Sequence, residues 1–497
     1  MVQQHELRTL IIGCGFSGID AAIQLRKQLN VVADIMEYGS DIGGTWHANK
    51  YPGCECDVRS HLYSLSYELN PNWSKAYSSQ SEILAYIKNV ATKYKIYDQV
   101  QLNTLVLSAE WDSDRNQWKV RYASRNSLDK VETKYYHFIF NGIGPLRIPK
   151  IPKMFENFKG KVVHTAKWDS SIDFTNKKVV LIGNGSSAVQ ALPELQKQVK
   201  HLYNFQRSKA WITPKVNTKY GTWIKFCFRW IPLFMRFYRW YIYWTNEFFF
   251  LTFKYPNSSF ARKTHALFTQ SIKSQLIKAG RPDLIPSLVP DYPIGCKRIC
   301  FSSDYYDAIA KDNVTLITNP IEQVHDHAIK TEDGTVIDDI DVLVLATGFE
   351  TQHFWGELDI IGKNGMSLRK LWNEQDPKTY KTVLIHGYPN FFMLLGPGTI
   401  LGHSSVISMI ESEVNYGIQC MKKMLQYNLP YIEPTESAQE KFSTKLYNDL
   451  KSRVWLTGCN SWYLNERGVP TLLWSENVTS YWWMLRKSPI RDFIRPQ

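Results

Sequence analysis

Apolar residues in this chain come in short unbroken runs closed by glycine, and the arrangement recurs. Leu7 to Ile12 reads as a buried strand, followed by Gly13-Cys-Gly15-Phe-Ser-Gly18 and a helical pattern from Ile19 to Gln28. Val31 to Met36 reads as the next strand and ends on Glu37. Later, Lys178 to Ile182 predicts a strand, Gly183-Asn-Gly185-Ser186-Ser187-Ala188 a turn, and Val189 to Lys197 a helix. Another strand, Leu202 to Gln206, ends on Arg207. A third apolar run, from Asp341, enters Ala346-Thr347-Gly348.

The expected fold class is therefore α/β, with two Rossmann-like dinucleotide-binding domains and a helical insertion. Gly and Pro crowd Asn141 to Pro145 and Ile148 to Pro152, as linkers do. Residues 1–147 and 335–497 are read as one nucleotide domain split in sequence. Residues 148–334 form the second, inserted within it, with the helical insertion at about 215–290. The run into Thr347 and Gly348 reads as the strand that re-enters the first domain.

Residues 222–255 carry 16 aromatics in 34 positions. Their six charges, Lys225, Arg229, Arg236, Arg239, Glu247 and Lys254, fall within a wedge of roughly 80° on a helical projection. The longest uncharged stretch, Trp240 to Asn246, is far short of the ~20 residues that span a bilayer. A helix broken at Pro232 is expected. Two placements stand: a cap on the core whose apolar face lines a substrate cavity, which is favoured, and a peripheral membrane face.

The formal charge of +13 admits nucleic acid, anionic lipid or anionic cofactors. Nucleic acid is excluded as a partner, because no basic run interleaved with stacking aromatics forms a recognisable module. The eight cysteines show no metal spacing, and a chain of this length needs no disulfide framework; they are read as reduced. The opening residues lack the apolar core of a secretory signal. A cytoplasmic protein is expected, with membrane association turning on residues 222–255.

Candidate chemistry gathers on the turns. Gly13, Gly15 and Gly18 allow a tight turn and close approach to a diphosphate at a helix N-terminus. Glu37 lies where a carboxylate takes ribose hydroxyls, and it would repel a 2′-phosphate, so the first site suits FAD. At the second site, with Gly183, Gly185, Ser186 and Ser187, the following strand ends without an acid. Arg207 can pair with a 2′-phosphate and Ser208 can donate to it, which selects NADP. Further constellations are Gly43-Gly44-Thr45-Trp46, Tyr51-Pro-Gly53-Cys-Glu-Cys-Asp57, Cys296-Lys297-Arg298, and Phe158-Lys-Gly160-Lys-Val-Val-His164-Thr-Ala-Lys-Trp168-Asp169.

Taken in order, these motifs resemble the type I Baeyer–Villiger monooxygenases, and the likeness runs from Gly13 to Trp474. The resemblance implies FAD and NADPH as cofactors and molecular oxygen and a small apolar ketone or sulfide as reactants. It implies insertion of one oxygen atom beside a carbonyl, giving an ester or lactone through a C4a-peroxyflavin. It makes Arg298 the catalytic cation and Asp57 its orienting partner, with Gly44, Thr45, Trp46 and Tyr63 at the flavin and Lys297 at the 2′-phosphate. Thr347 and Gly348 are assigned to the cofactor site. Phe158, Gly160, His164, Trp168 and Asp169 are given a coupling role between domains. Gly396-Pro-Gly-Thr399 and Leu401-Gly-His403 resemble the loop that meets the flavin, and Trp462 a substrate-pocket residue. The alternative is a flavin-containing monooxygenase that oxidises sulfur or nitrogen. The disulfide oxidoreductases of similar fold are excluded, because the CxxxxC they need is missing.

Overall fold

A computed structural model describes residues 7–352 and 355–494. Two five-stranded parallel sheets organise it. The first runs in the order Phe391–Met393, Phe138–Asn141, Thr9–Ile12, Asp34–Met36, Val100–Gln101. The second runs Val314–Ile317, His201–Phe205, Lys178–Ile182, Val342–Leu345, Lys161–His164. In each sheet the strand that leads into a glycine turn lies in the middle, with parallel neighbours on both sides. Strands buried on both faces read as unbroken apolar runs, which is why these were visible in sequence.

The helices Phe16–Leu29 and Ser186–Gln196 start directly from the two turns. Both begin three residues earlier than the apolar period suggests, since the turn residues themselves supply the first helical turn. The reading of 341–348 is corrected by strand pairing. Val342–Leu345 lies between Lys178–Ile182 and Lys161–His164 in the second sheet, and the return to the first sheet is made by Phe391–Met393. A parallel strand joins wherever its hydrogen-bonding edge and apolar faces are complemented, and composition does not distinguish the two sheets.

A four-stranded sheet of Thr104–Asp112, Gln117–Ser124, Ser127–Tyr136 and Asp359–Ile361 backs the first sheet. Trp111 and Trp118 cross edge to face at 5.5 Å within its core. The insertion is closed at its base by a two-stranded parallel pairing of Ile212–Thr213 with Cys300–Phe301. Between them lie helices Thr222–Trp230, Phe234–Phe249, Leu251–Lys254 and Ser259–Lys278.

The break at Pro232 holds: one helix ends at Trp230 and the next starts after Leu233, in left-handed backbone. The apolar positions divide: Phe228, Ile242, Phe250 and Phe253 are buried in the core, as a cap requires, while others stay outside. Trp223, Trp230, Phe237, Trp240 and Phe248 face outward, each more than half exposed. The charged wedge instead turns inward at Arg239 and Glu247. Arg239 Nη1 donates to the carbonyls of His61 and Leu62, and Glu247 receives the backbone N–H groups of Val478 and Thr479. Charges with complete partners can be buried, so Arg239 and Glu247 share the inner side with those apolar residues.

Candidate active site

Arg298 and Asp57 form the centre of the site. The guanidinium donates through Nε (2.9 Å) and Nη2 (2.8 and 2.7 Å) to the two Asp57 carboxylate oxygens, a fork matched to a carboxylate. Nη1 donates to the carbonyl of Leu401 at 3.0 Å. Burial alone would lower the Arg298 pKa, and the facing carboxylate more than offsets that, so it is raised. The group holds its positive charge under all conditions in which the protein is folded.

Three segments surround this pair. Tyr63 accepts a hydrogen bond from Trp46 Nε1 at 3.1 Å, and its ring meets Trp46 at 5.6 Å and Phe16 at 5.5 Å. Burial pushes the Tyr63 hydroxyl well above the ordinary phenol range, so it stays neutral. His403, fully buried, follows Leu401 and lies 3.5 Å from Glu247. From the C-terminal segment comes Tyr463, completely buried and close enough for Arg298 to lower its pKa against the upward push of burial. Trp462 is partly exposed and packs against the Tyr463 ring at 4.5 Å. The residue next to the cation is therefore Tyr463, which periodicity in an irregular segment gives no means of choosing.

The first glycine turn is sterically committed. A Cβ on Gly18 would lie 1.9 Å from the Gly13 carbonyl oxygen, so the helix packs directly on the strand end. Glu37 curls back to the same turn: Cys14 N–H and Gly39 N–H donate to its two oxygens at 2.6 Å each. Burial raises its pKa, and those two donors and Arg147 oppose the rise. Gly44 carries left-handed backbone next to Gly15, and Thr45 starts the short helix Thr45–Ala48. A nearly buried carboxylate at a helix N-terminus beside a side-chain-free turn fits an adenine dinucleotide without a 2′-phosphate.

The second turn is closed at Gly183, in left-handed backbone against the Ala346 carbonyl, and open at Gly185, with no atom within 4 Å of a Cβ placed there. Lys297 Nζ donates to Ser208 Oγ at 2.9 Å. Burial and then the neighbouring Arg207 depress the Lys297 pKa. Two cations held together with a hydroxyl fit an additional phosphate group. Ser186 lies beside Cys300 at 3.6 Å, and Ser187 beside Tyr51.

The two units meet through the Tyr51–Asp57 segment. Tyr51 donates to Gln190 Oε1 at 2.8 Å, Gln190 Nε2 donates to the Glu55 carbonyl at 2.9 Å, and a Cβ on Gly53 would sit 2.2 Å from the Gln190 carbonyl oxygen. Asp57 is thus carried by a loop clamped to the helix of the second glycine turn.

The segment Phe158 to Asp169 lies in the second sheet and its margin. Phe158 is buried against His327, and Gly160 leaves room for that ring. His164 ends its strand, accepts from Ala166 N–H through Nδ1 at 3.0 Å, and is pushed down to about 4 by burial, which keeps it neutral. Its ring approaches Phe349, just beyond Thr347 and Gly348, which bond to Lys150 in the linker. Trp168 stacks on Phe174 at 5.3 Å, and Asp169 is a surface residue bonded to Ser171. None of the five touches the Arg298–Asp57 pair by a hydrogen bond or ion pair among the described residues.

One expectation about sulfur is overturned. Cys296 and Cys459 are joined as a disulfide, while the other six cysteines are free. The bridge ties the segment bearing Lys297 and Arg298 to the segment bearing Trp462 and Tyr463. Their separation of 163 residues hid the pair from any spacing rule.

Comparison with known proteins bears on this arrangement. The family model described as flavin-binding monooxygenase-like matches residues 5–239. A Baeyer–Villiger monooxygenase of Pseudomonas aeruginosa is 35% identical over 94% of this chain and 87% of its own. This chain belongs to the Baeyer–Villiger monooxygenases. An FAD-binding monooxygenase of Aspergillus niger, ktnD, is 34% identical over 98% of this chain and 81% of its own. The crystal structure of OTEMO in complex with FAD and NADP superposes with a TM-score of 0.84 at 26% identity, covering 97% of this chain and 98% of that one. The Baeyer–Villiger family assignment and the two-sheet α/β fold thus agree with what the motifs implied.

Proposed function

We propose that this Baeyer–Villiger monooxygenase uses FAD, NADPH and molecular oxygen to insert an oxygen atom beside the carbonyl of a small apolar ketone, forming an ester or lactone. The observation that carries the assignment of roles is the forked Arg298–Asp57 pair, held between the Trp46–Tyr63 loop, the Leu401 carbonyl and Tyr463.

Bound FAD, reduced by NADPH, supplies the activated oxygen. Gly13, Gly15, Gly18, Glu37, Gly44, Thr45, Trp46 and Tyr63 hold it. Gly183, Gly185, Ser186, Ser187, Arg207, Ser208 and Lys297 hold the nicotinamide cofactor, with the last three on its extra phosphate. Arg298 is the catalytic residue: an undissociating cation that favours negative charge on the attacking oxygen. Asp57 orients it and balances its charge between turnovers. Tyr463 closes the apolar side of the cation against water, and Trp462 borders the substrate. Thr347 and Gly348 border the cofactor site, and the Phe158–Asp169 segment beside them transmits movement between the two units. The enzyme works in the cytoplasm, with peripheral membrane contact through 222–255.

Purified FAD-loaded protein given NADPH, ¹⁸O₂ and a panel of cyclic, aryl and long-chain ketones with one sulfide tests this reading. Labelled ester or lactone is the expected product. Labelled sulfoxide without ester would overturn it in favour of sulfur or nitrogen oxidation.

A further inference from the structure

We infer that the outward face of helices Thr222–Trp230 and Phe234–Phe249, continued by helix Val478–Leu485, seats the enzyme on an anionic phospholipid bilayer. This deepens the peripheral contact proposed above by naming the occupant, the residues that enter it and the consequence for substrate.

The face is aromatic where a soluble surface is normally polar. Trp223, Trp230 and Trp240 are 76%, 65% and 62% exposed, and Phe237 and Phe248 lie among them. Contiguous exposed apolar surface of this kind marks an interaction site. Tryptophan specifically favours the lipid–water boundary, where its ring is apolar and its N–H is wet.

The face also continues beyond these two helices. Tyr243 bonds to Thr479 Oγ1 at 2.9 Å, and Glu247 receives that residue's N–H and hydroxyl. Trp482 and Trp483 follow Thr479 by three and four residues, on the same side of their helix, and both are exposed. No described helix is long and apolar enough to cross a membrane, so the face lies on the bilayer.

Charge decides the kind of occupant. Residues 216–281 contain eleven Lys and Arg and a single acid, Glu247, which is buried; Arg239 turns inward and Lys254 and Arg281 pair with Glu476 and Asp283, which leaves eight cations of the stretch outside those contacts. Arg229 and Arg236 are exposed beside the aromatics, and Arg486 and Lys487 lie over the Trp482 and Trp483 rings at 4.3 and 5.2 Å. Each such cation is attracted to the negative surface potential of an anionic leaflet. A second copy of the chain, docked symmetrically, would set this one-signed rim against itself and is disfavoured.

The seated helix also reaches the reaction site. Glu247, on the inner side of Phe234–Phe249, meets His403, two residues beyond the Leu401 carbonyl that receives Arg298. An apolar ketone dissolved in the bilayer would thus lie against the outer side of the helix that backs the site.

Sedimentation of the FAD-loaded enzyme with vesicles of phosphatidylcholine, alone or mixed with phosphatidylglycerol, tests this. Binding to the mixed vesicles is expected, weakening as salt rises. A triple variant, Trp223→Ala, Trp230→Ala and Trp240→Ala, should bind them about tenfold more weakly or worse. It should keep its flavin absorbance and its ester formation from a water-soluble ketone without vesicles. Equal binding by wild type and variant, or none by either, overturns the inference. A wild-type dimer that the variant dissociates would assign the face to a second copy. Absence of ester from soluble ketone, with vesicle binding intact, would count against the proposed reaction and leave the surface standing.

Discussion

Arg298 and Asp57 stand 241 residues apart in sequence and share a three-contact ion pair. Neither belongs to a regular element that periodicity could align. Asp57 arrives on a loop clamped to Gln190, and Arg298 on the return from the helical insertion to Cys300–Phe301. The two dinucleotide units are therefore joined at the residue pair to which the chemistry is assigned.

Replacing Arg298 with Ala should abolish ester formation, by roughly 100-fold or more, while leaving FAD bound and reducible by NADPH. Product analysis beside anaerobic flavin bleaching separates the two. Asp57→Ala should also lower turnover, by leaving the guanidinium buried without its carboxylate. Ester formation undiminished in R298A would remove the assigned role.

Discrimination between NADPH and NADH should collapse on replacing Arg207. A charge-assisted hydrogen bond contributes about 1.5–3 kcal/mol, so the ratio of kcat/KM for the two cofactors should fall by roughly 10- to 100-fold in Arg207→Ala. Lys297→Ala should act in the same direction, since Lys297 and Arg207 crowd one another. If both ratios stay at the wild-type value, the phosphate is bound elsewhere.

Stability should fall as pH rises from about 4.5 to about 7 through Glu413. This carboxyl is fully buried, receives Leu395 N–H and Tyr481 O–H, and is pushed up to about 7 by burial. In that window the folded state binds a proton that the unfolded state has released, so raising pH favours unfolding. Glu413→Gln removes the ionisation. Its melting temperature should exceed that of the wild type at pH 8, and the difference should shrink toward pH 4.5. A difference independent of pH would show that Glu413 does not supply the slope.

Titration of the denatured protein with a thiol reagent should find six reactive cysteines, rising to eight after reduction. Eight before reduction would mean that Cys296 and Cys459 are held only as neighbours. The substitution Cys459→Ser should loosen the segment bearing Tyr463, seen as faster proteolysis within residues 457–468.

What the sequence determined by itself is local. Each glycine turn sits between an apolar strand and a helix, because the spacing of a tight turn, a strand end and a helix start is fixed by backbone geometry within a few residues. The acid ending one following strand and the Arg-Ser ending the other are equally local, and so is the helix break at Pro232. Tertiary structure decided whatever depends on partners far along the chain. Strand 342–345 went to the second sheet because both of its edges found complementary strands there. Cys296 met Cys459, and Tyr463 met Arg298, because an irregular segment has no period to state which side faces in. The aromatic helices show the reason most plainly: a helical projection separates the apolar face from the charged one but does not say which faces the protein. Buried partners for Arg239 and Glu247 settled that and left the tryptophans outside.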